Sequence, residues 1–479
     1  MKKIKEVFSL PWLKNQYVTI IQLIVSIVFL GMLLIEMPVL PFLYIMVVIV
    51  GLLLLLLLSY TLQYNKAAFS LRGIISKILS VIVSMALVFG CFVIHSGSSF
   101  MNSFTGNTIQ TDAMSVIVLN SRDFDDINDL KNKTLMYNNS IDEVNIESAK
   151  KDIQSQIECQ FTETDHWDTL NQELMSEKVD AIVVNEAYRV LLENVNDNFS
   201  DDTKVIYQIE IKSKAKNIAN KGAVKDGTFH VLISGIDTYG SISTRSRSDV
   251  NMIMTVNMKT HKILLTGIPR DCYVPLAMNG QYDKLTHSGI YGINETVQTL
   301  ENFLDIDIDY YYRVNFSSVV NVVDVLGGID VYSDRALTLD GMTYQQGMNH
   351  MDGEKALRYA RERHSYGEGD YHRIQNQQEV LIGIINKIIS TDTIMNYQTI
   401  LNKVEGTFDT NMSKDDLLTL IRNQIDSMKG FSIERQYLYG NGKMTYGLYS
   451  MPNSKLYTLV PNETSRSEIS NKIKEAINS

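Results

Sequence analysis

The chain has 479 residues and a formal net charge of −10, with hydrophobic residues making up 45% of it, enough for more than one domain at roughly 100 to 200 residues each. The acidic balance disfavours nucleic acid as a partner, because duplex binding leans on basic patches that displace counterions. The three cysteines, Cys91, Cys159 and Cys272, do not form the even, closely spaced set of a disulfide scaffold, and Cys159 and Cys272 are expected as unpaired thiols without a catalytic role.

Apolar residues concentrate at the N-terminus. No charged residue occurs from Tyr17 to Ile35 or from Met37 to Asn65, and from Ile78 to Phe100 only His95 can carry a charge. A helix crosses a hydrocarbon core of about 30 Å with roughly 20 apolar residues, so three membrane spans are predicted over residues 1–97. A cleaved signal peptide would have an apolar region of only about 7 to 15 residues, and two more spans follow here without a break, so uncleaved anchoring is the expectation. Lys2, Lys3, Lys5 and Lys14 flank the first span, and Lys66, Arg72 and Lys77 lie between the second and third; the loop around Glu36, Pro38 and Pro41 has no basic residue. Both basic flanks therefore belong inside, and the chain after about residue 98 is extracytoplasmic. The anchor is net basic, so this exported part is more acidic than the chain as a whole.

Residues 98–215 alternate strands and helices. MSVIVL (114–119) and DAIVV (180–184) are predicted as buried strands, and 142–157 and 165–176 as helices with Trp167, Leu170 and Leu174 at inward spacing. This small α/β accessory domain has no Gly-rich phosphate loop, His cluster or nucleophile motif, which leaves scaffolding or partner docking as its role. A polar, lysine-bearing stretch from Lys212 to Lys225 is the predicted linker, and residues 216–479 form one larger domain.

In that domain FHVLISGID is a strand ending at Asp237, followed by strands NMIMTVN (251–257) and KILLTGIP (262–269) around a turn at Met258–His261. If this hairpin is centred between Lys259 and Thr260, antiparallel symmetry sets Asp249 opposite Arg270, and Arg247 opposite Cys272. A helix near Gly353–Tyr359 leads into Arg361, Glu362 and Arg363, then a loop with Gly367 and Gly369, then a helix from Asp370 to about Ile389. Asp370, Arg373 and Gln377 share one face of its first turns, and Asp370 is well placed as a cap.

Five arginines (Arg247, Arg270, Arg361, Arg363, Arg373) and three aspartates (Asp237, Asp249, Asp370) are thus candidates for one site. The guanidinium fork matches phosphate oxygens bidentately, and carboxylates beside phosphate suit Mg²⁺ or Mn²⁺. Neighbouring arginines and aspartates also form surface ion pairs worth ~0–1 kcal/mol and without function, and spacing does not separate the two readings. His287 reads first as a hydrogen-bonded structural histidine, and Tyr310 to Tyr312 as strand packing.

The blocks LISGIDTYG, TRSRSDVNMIMTVN, LLTGIPRDCYV, DKLTHSGIYG, VVDVLGGIDV, ALRYARERH and DYHRIQNQQ, in this order across roughly 216–390, resemble the signature blocks of the LytR-CpsA-Psr family. The three spans and the inserted α/β domain resemble its capsule-biosynthesis members rather than single-span relatives. The resemblance implies an α/β catalytic domain with a central mixed β-sheet flanked by helices. It also implies a transferase that moves an undecaprenyl-pyrophosphate-linked glycopolymer, capsular polysaccharide or a teichoic-acid-like chain, onto peptidoglycan. By position, Arg247, Arg270, Arg361, Arg363, Arg373 and Gln377 match the pyrophosphate-binding set, with Lys284 in a block that carries a basic residue near the site. Asp237, Asp249 and Asp370 match the acids that bind or organise Mg²⁺ or Mn²⁺, and Asp249, Arg270 and Arg361 are the expected catalytic residues. The implied partners are the polyprenyl (pyro)phosphate lipid-linked glycan, the peptidoglycan acceptor, the membrane and capsule-assembly proteins. Apolar helices at 296–304 and 317–326 offer walls for a polyprenyl channel, although ordinary core packing accounts for most of their residues. The alternative is a non-catalytic polyprenyl-phosphate-binding regulator of polysaccharide export or polymerisation. A third reading is a pyrophosphatase without transfer.

Overall fold

The computed structural model describes residues 11–36, 42–63, 70–104, 109–214, 223–236, 242, 244–363, 365, 370–390, 400, 403–404 and 406–478. Two compact units are present: Met1–Thr105 with Ser413–Lys429, and Gly106–Met412 with Gly430–Ser479.

The first unit holds helices α1 (Pro11–Glu36), α2 (Phe42–Gln63) and α3 (Leu71–Phe104). Their apolar stretches of 21, 22 and 25 residues, Gln16–Glu36, Phe42–Gln63 and Leu71–His95, are long enough to cross a membrane. Leu54, Leu57, Phe89 and Phe92 point outward and are more than half exposed, an arrangement that suits hydrocarbon rather than water. Polar groups turn inward: the Gln63 side chain donates to Ser76 Oγ at 2.8 Å, and that hydroxyl donates to the Ser59 carbonyl at 2.8 Å. Such bonds tie neighbouring spans where the hydrophobic effect cannot. The protein is therefore membrane-anchored.

The second unit begins with strands β1 (Ile109–Leu119), β2 (Thr134–Asn138), β3 (Gln160–Thr164), β4 (Ala181–Asn185) and β5 (Thr203–Lys214), ordered β3-β2-β4-β1-β5. Helices α4 (Glu143–Gln156) and α5 (Trp167–Met175) cover this sheet, and α6 (Arg189–Val195) follows β4. Ile146, Ala149 and Ile153 of α4 pack on Met114, Val116 and Val118, while Trp167, Leu170 and Leu174 of α5 pack on Ile117 and Ile182. The predicted strands and helices of this region are all present. The predicted linker is shorter than expected, because Ile209 and Ile211 continue the period-2 pattern and β5 runs on to pair Lys214 with Ile109. Residues 215–222, the middle of that linker, lie outside the described residues. The α5 cluster also takes in Ile290 and Met451, so accessory and C-terminal residues share one core.

A six-stranded sheet follows, built first from β6 (Thr228–Ile236), β7 (Ser248–Asn257) and β8 (Lys262–Ile268). The β7–β8 hairpin has the register expected from its sequence, pairing Asn257 with Lys262 and Asn251 with Ile268. Next come β9 (Tyr273–Pro275), β10 (Tyr282–Lys284), helix α7 (Ile293–Leu304), β11 (Tyr310–Val314) and helix α8 (Phe316–Val325). Strands β12 (Ile329–Ser333), β13 (Leu337–Leu339), β14 (Met342–Tyr344) and β15 (Gly347–Met351) precede helices α9 (Gly353–Arg361) and α10 (Asp370–Ile388). The chain ends with β16 (Phe408–Thr410), β17 (Ser432–Tyr437), β18 (Gly440–Thr445), β19 (Leu456–Pro461) and helix α11 (Glu463–Asn478). The large sheet has the order β16-β11-β6-β7-β8-β17. It is mixed, with β6 parallel to β11, β8 parallel to β17, and the other pairs antiparallel.

Helices lie on both faces of this sheet. On one, Val297, Leu300 and Leu304 of α7 and Ile469 and Ile473 of α11 bury Leu232, Ile253, Leu264 and Tyr311. On the other, α10 approaches so closely that a Cβ at Gly267 would fall 2.3 Å from Ile374. A satellite core joins α8, α9 and α10 through Val323, Ala356, Tyr359 and Val380. Most residues of α7 thus serve as packing, α8 buries Ser318 and Val323, and Tyr310 and Tyr311 are buried strand residues as expected.

Candidate functional site

The site forms where β7 leaves the sheet. The pairing of β6 with β7 slips there, Gly235 facing Val250 and Ile236 facing Ser248, so Asp249 is the extra residue of a β-bulge. A bulge bends its strand and re-aims a side chain, which is why bulges recur beside active sites. Asp249 turns toward Arg270, whose Nη1 donates to Asp249 Oδ2 at 3.0 Å. This is the cross-strand partner that the hairpin symmetry predicts.

Three further contacts fix the pair. The Thr286 hydroxyl donates to Asp249 Oδ1 at 2.7 Å. Backbone N–H groups of Leu285 and Thr286 donate to the carbonyls of Cys272 and Arg270, both at 2.8 Å, which holds the DKLTHSG block against the IPRDCYV block. Gly289 completes the packing, because a Cβ there would lie 2.6 Å from the Ser246 carbonyl oxygen and the Ser248 nitrogen. Only glycine lets the backbone that carries Arg247 close on this turn.

The first turn of α10 contributes Asp370 and Arg373, which form an ion pair. Lys284 pairs with Asp271 at 3.0 Å, and Arg270 Nε lies 3.7 Å from Asp271 Oδ2. Burial would raise the Asp249 carboxyl, but Arg247, Arg270, the Thr286 hydroxyl and Arg373 together hold it below the usual carboxylate range. Asp370 behaves oppositely: burial, helped by Asp271, pushes its carboxyl up despite Arg373, Arg270 and Arg363. Burial also lowers Arg373, while the aspartates around Arg270 outweigh burial and raise it. These mutual influences bring Arg247, Arg270, Arg363 and Arg373 together with Asp249, Asp271 and Asp370. Among the described residues the buried Nε atoms of Arg270 and Arg373 find no hydrogen-bond acceptor, Asp271 standing 3.7 Å from Arg270 Nε, a costly state for a charged donor unless an anion answers it.

Arg361 ends α9 with its guanidinium 4.1 Å from the centroid of Phe316, a cation–π contact. Gln377 is half-buried on α10, two turns after Asp370. Asp237 lies outside the described residues. His287 is a structural histidine: its Nδ1 is 2.7 Å from Asp283 and 2.9 Å from the Ser450 hydroxyl, all three buried. Cys159 and Cys272 are free thiols.

Sequence reasoning missed Asp271 and Thr286. Both stand inside quoted blocks, but neither lies on a predicted helix face or strand pair with an arginine, so periodicity carried no signal for them.

Fold and site define a membrane-anchored mixed α/β protein with a buried cluster of guanidinium and carboxylate groups. The model of the LytR_cpsA_psr family matches residues 192–465, more than half of the chain, and the chain belongs to that family. The polyisoprenyl-teichoic acid–peptidoglycan teichoic acid transferase TagU of Bacillus subtilis strain 168 is 34% identical over 254 residues, covering 53% of this chain and 79% of that protein. TagU of Bacillus licheniformis is 34% identical over 251 residues, covering 52% and 78%. The crystal structure of B. subtilis TagU, 33% identical, superposes with a TM-score of 0.42 over 53% of this chain and 97% of its own.

Proposed function

We propose that this chain is a cell-wall glycopolymer transferase, taking a glycan from a polyprenyl-pyrophosphate carrier and joining it to a hydroxyl of peptidoglycan with release of polyprenyl phosphate. The observation that carries this reading is that Arg270 Nε and Arg373 Nε, buried beside Asp249 and Asp370, find no hydrogen-bond acceptor among the described residues. Planar forks at that depth match a diphosphate better than an isolated carboxylate or a neutral sugar. The names of the TagU relatives, with which the chain shares about a third of aligned residues, support the same chemistry.

In the step proposed, the acceptor oxygen bonds to the glycan-bearing phosphorus. The bond from that phosphorus to the bridging oxygen breaks, and polyprenyl phosphate leaves with the electron pair. Arg270 and Arg373 face the leaving phosphate and offset its charge, with Arg247 and Arg363 beside them, the kind of preorganised stabilisation that contributes most to catalysis. The acceptor's proton passes to Asp370, whose burial raises its base strength. Asp249 is poorly suited to that task, being held anionic with both oxygens already accepting hydrogen bonds.

A divalent cation fits this donor set. Among the described residues no group of three or more His, Cys, Asp or Glu could hold a metal by itself, but Mg²⁺ or Mn²⁺ needs only one or two carboxylates beside phosphate oxygens and water. Asp249, with Asp237 as named from the sequence, would hold it, and the ion when bound offsets phosphate charge. The basic flanks of the spans support an orientation with the second unit outside, where a lipid-borne head group meets the site.

The test is reconstitution of the full chain in detergent with lipid-linked glycan, peptidoglycan and Mg²⁺. Covalent glycan on peptidoglycan is expected, while tight lipid binding without product would contradict the reading. Acceptor-independent phosphate release would contradict it too.

A further inference from the structure

The C-terminal hairpin sets a strip of tyrosines beside the charged site. Tyr371 follows Asp370 on α10, and its ring centroid lies 5.6 Å from that of Tyr437 and 5.5 Å from that of Tyr439, which are 4.7 Å from each other. The strip is held rigidly. The Tyr371 hydroxyl accepts from the Gly440 N–H at 2.9 Å and donates to the Gly440 carbonyl at 3.2 Å. The Tyr439 hydroxyl donates to Tyr437 at 2.8 Å, and Gln375 donates to Tyr437 at 3.2 Å. On the adjoining strand Tyr457 lies across Gly442, where a Cβ would stand 2.7 Å from its hydroxyl and 2.8 Å from a ring carbon. The strip adjoins the charged site, since Tyr371 directly follows Asp370 and, two residues from Tyr457, the Leu459 N–H donates to the Asp271 carbonyl at 2.7 Å.

Held this firmly, Tyr439 and Tyr457 still remain 52% and 48% exposed. A preorganised row of half-exposed rings next to the charged site is a binding surface. The donor substrate has its own anchor in the diphosphate, which the arginines take. The acceptor has no comparable charge where it reacts, so a saccharide must be held by its ring faces and hydroxyls. Rigid tyrosines offer both kinds of contact at low entropic cost.

We infer that Tyr371, Tyr437, Tyr439 and Tyr457 form the subsite that seats the sugar rings of the acceptor, a strand of linked amino sugars, with Tyr439 and Tyr457 as the stacking faces. This rests on the transferase reading of the neighbouring site.

The test uses the full chain in detergent and three probes: polymer-stripped peptidoglycan sacculi, soluble β-1,4-linked N-acetylglucosamine oligomers, and vesicles containing polyprenyl pyrophosphate. Tyr439→Ala and Tyr457→Ala are each expected to weaken sacculus and oligomer binding roughly three- to tenfold, the range for loss of one aromatic contact. Acceptor KM rises by a similar factor with kcat little changed, vesicle affinity stays constant, and Tyr439→Phe retains most acceptor binding because it keeps the ring. Unchanged acceptor binding in both alanine variants would overturn the inference, as would a loss of vesicle affinity in place of acceptor affinity. If wild-type chain forms no covalent product, the transferase reading fails, yet sacculus and oligomer binding still decide the subsite, so the two failures are separable.

Discussion

Arg245→Ala removes the charge that joins the two sheets of the second unit. Arg245 precedes the site strand; its Nε donates to Asp112 on β1, and its Nη2 lies 3.3 Å from Asp142 at the start of α4. The side chains of Arg245, Asp112 and Asp142 are 11%, 2% and 8% exposed, and Asn185 donates to both carboxylates at 3.1 and 2.6 Å. Without the guanidinium, two buried carboxylates are left with only the Asn185 and Asn145 amides donating to them, and breaking a buried pair in this way costs ~3–5 kcal/mol. For a unit of this size that corresponds to roughly 4–7 °C in unfolding midpoint. The assay is thermal unfolding of the detergent-solubilised full chain at neutral pH, with Arg245→Met/Asp112→Leu/Asp142→Leu as a variant that removes all three charges and is expected to recover much of the loss. The Asp112 carboxyl is lowered, since burial raises it but Arg245 and Asn185 outweigh burial. Its share of stability is therefore present above the ordinary carboxylate range and is lost as pH falls through its depressed value, so the deficit of Arg245→Ala narrows on acidification below about pH 4. An Arg245→Ala midpoint equal to wild type at neutral pH would refute the reasoning.

Leu300, fully buried between α7 and the large sheet, is expected to cost ~2–5 kcal/mol on replacement by alanine, read as a lower urea midpoint. Asp409 is raised to about 6, first by burial and against the pull of Arg313. Its stabilising share is present below the ordinary carboxylate range and lost as pH rises through about 6, so wild type gains on Asp409→Asn between pH 7 and 4.5 in thermal unfolding. Cys272 is fully buried and burial pushes its thiol up, so under native conditions it resists a maleimide that modifies the half-buried Cys159.

The part of the site that local periodicity controls is legible in the sequence. Hairpin symmetry leads from a turn at Met258–His261 to the Asp249–Arg270 pair, because antiparallel registry is a property of the turn alone. The i, i+3 spacing leads likewise to Asp370 beside Arg373. Contacts made by loops do not follow from any period: Thr286 reaches Asp249 and Lys284 reaches Asp271 only because 284–286 folds back along 270–272. Arg361 shows the converse, since its motif resemblance to a phosphate ligand does not reveal the Phe316 ring beneath it. Arg245 alternates with Arg247 in TRSRSD, yet it faces the accessory sheet, a partner more than a hundred residues away. The tyrosine strip was equally hidden, its rings coming from α10, β17 and a hairpin closed across residues 446–455.

Affinity for polyprenyl pyrophosphate in vesicles, measured for the full chain against Arg270→Ala and Arg373→Ala, bears most directly on the guanidinium cluster. Losing one charge-assisted, buried contact is expected to weaken binding by roughly ten- to a hundredfold while thermal unfolding shows an intact fold. Wild-type affinity in both folded variants would contradict the account.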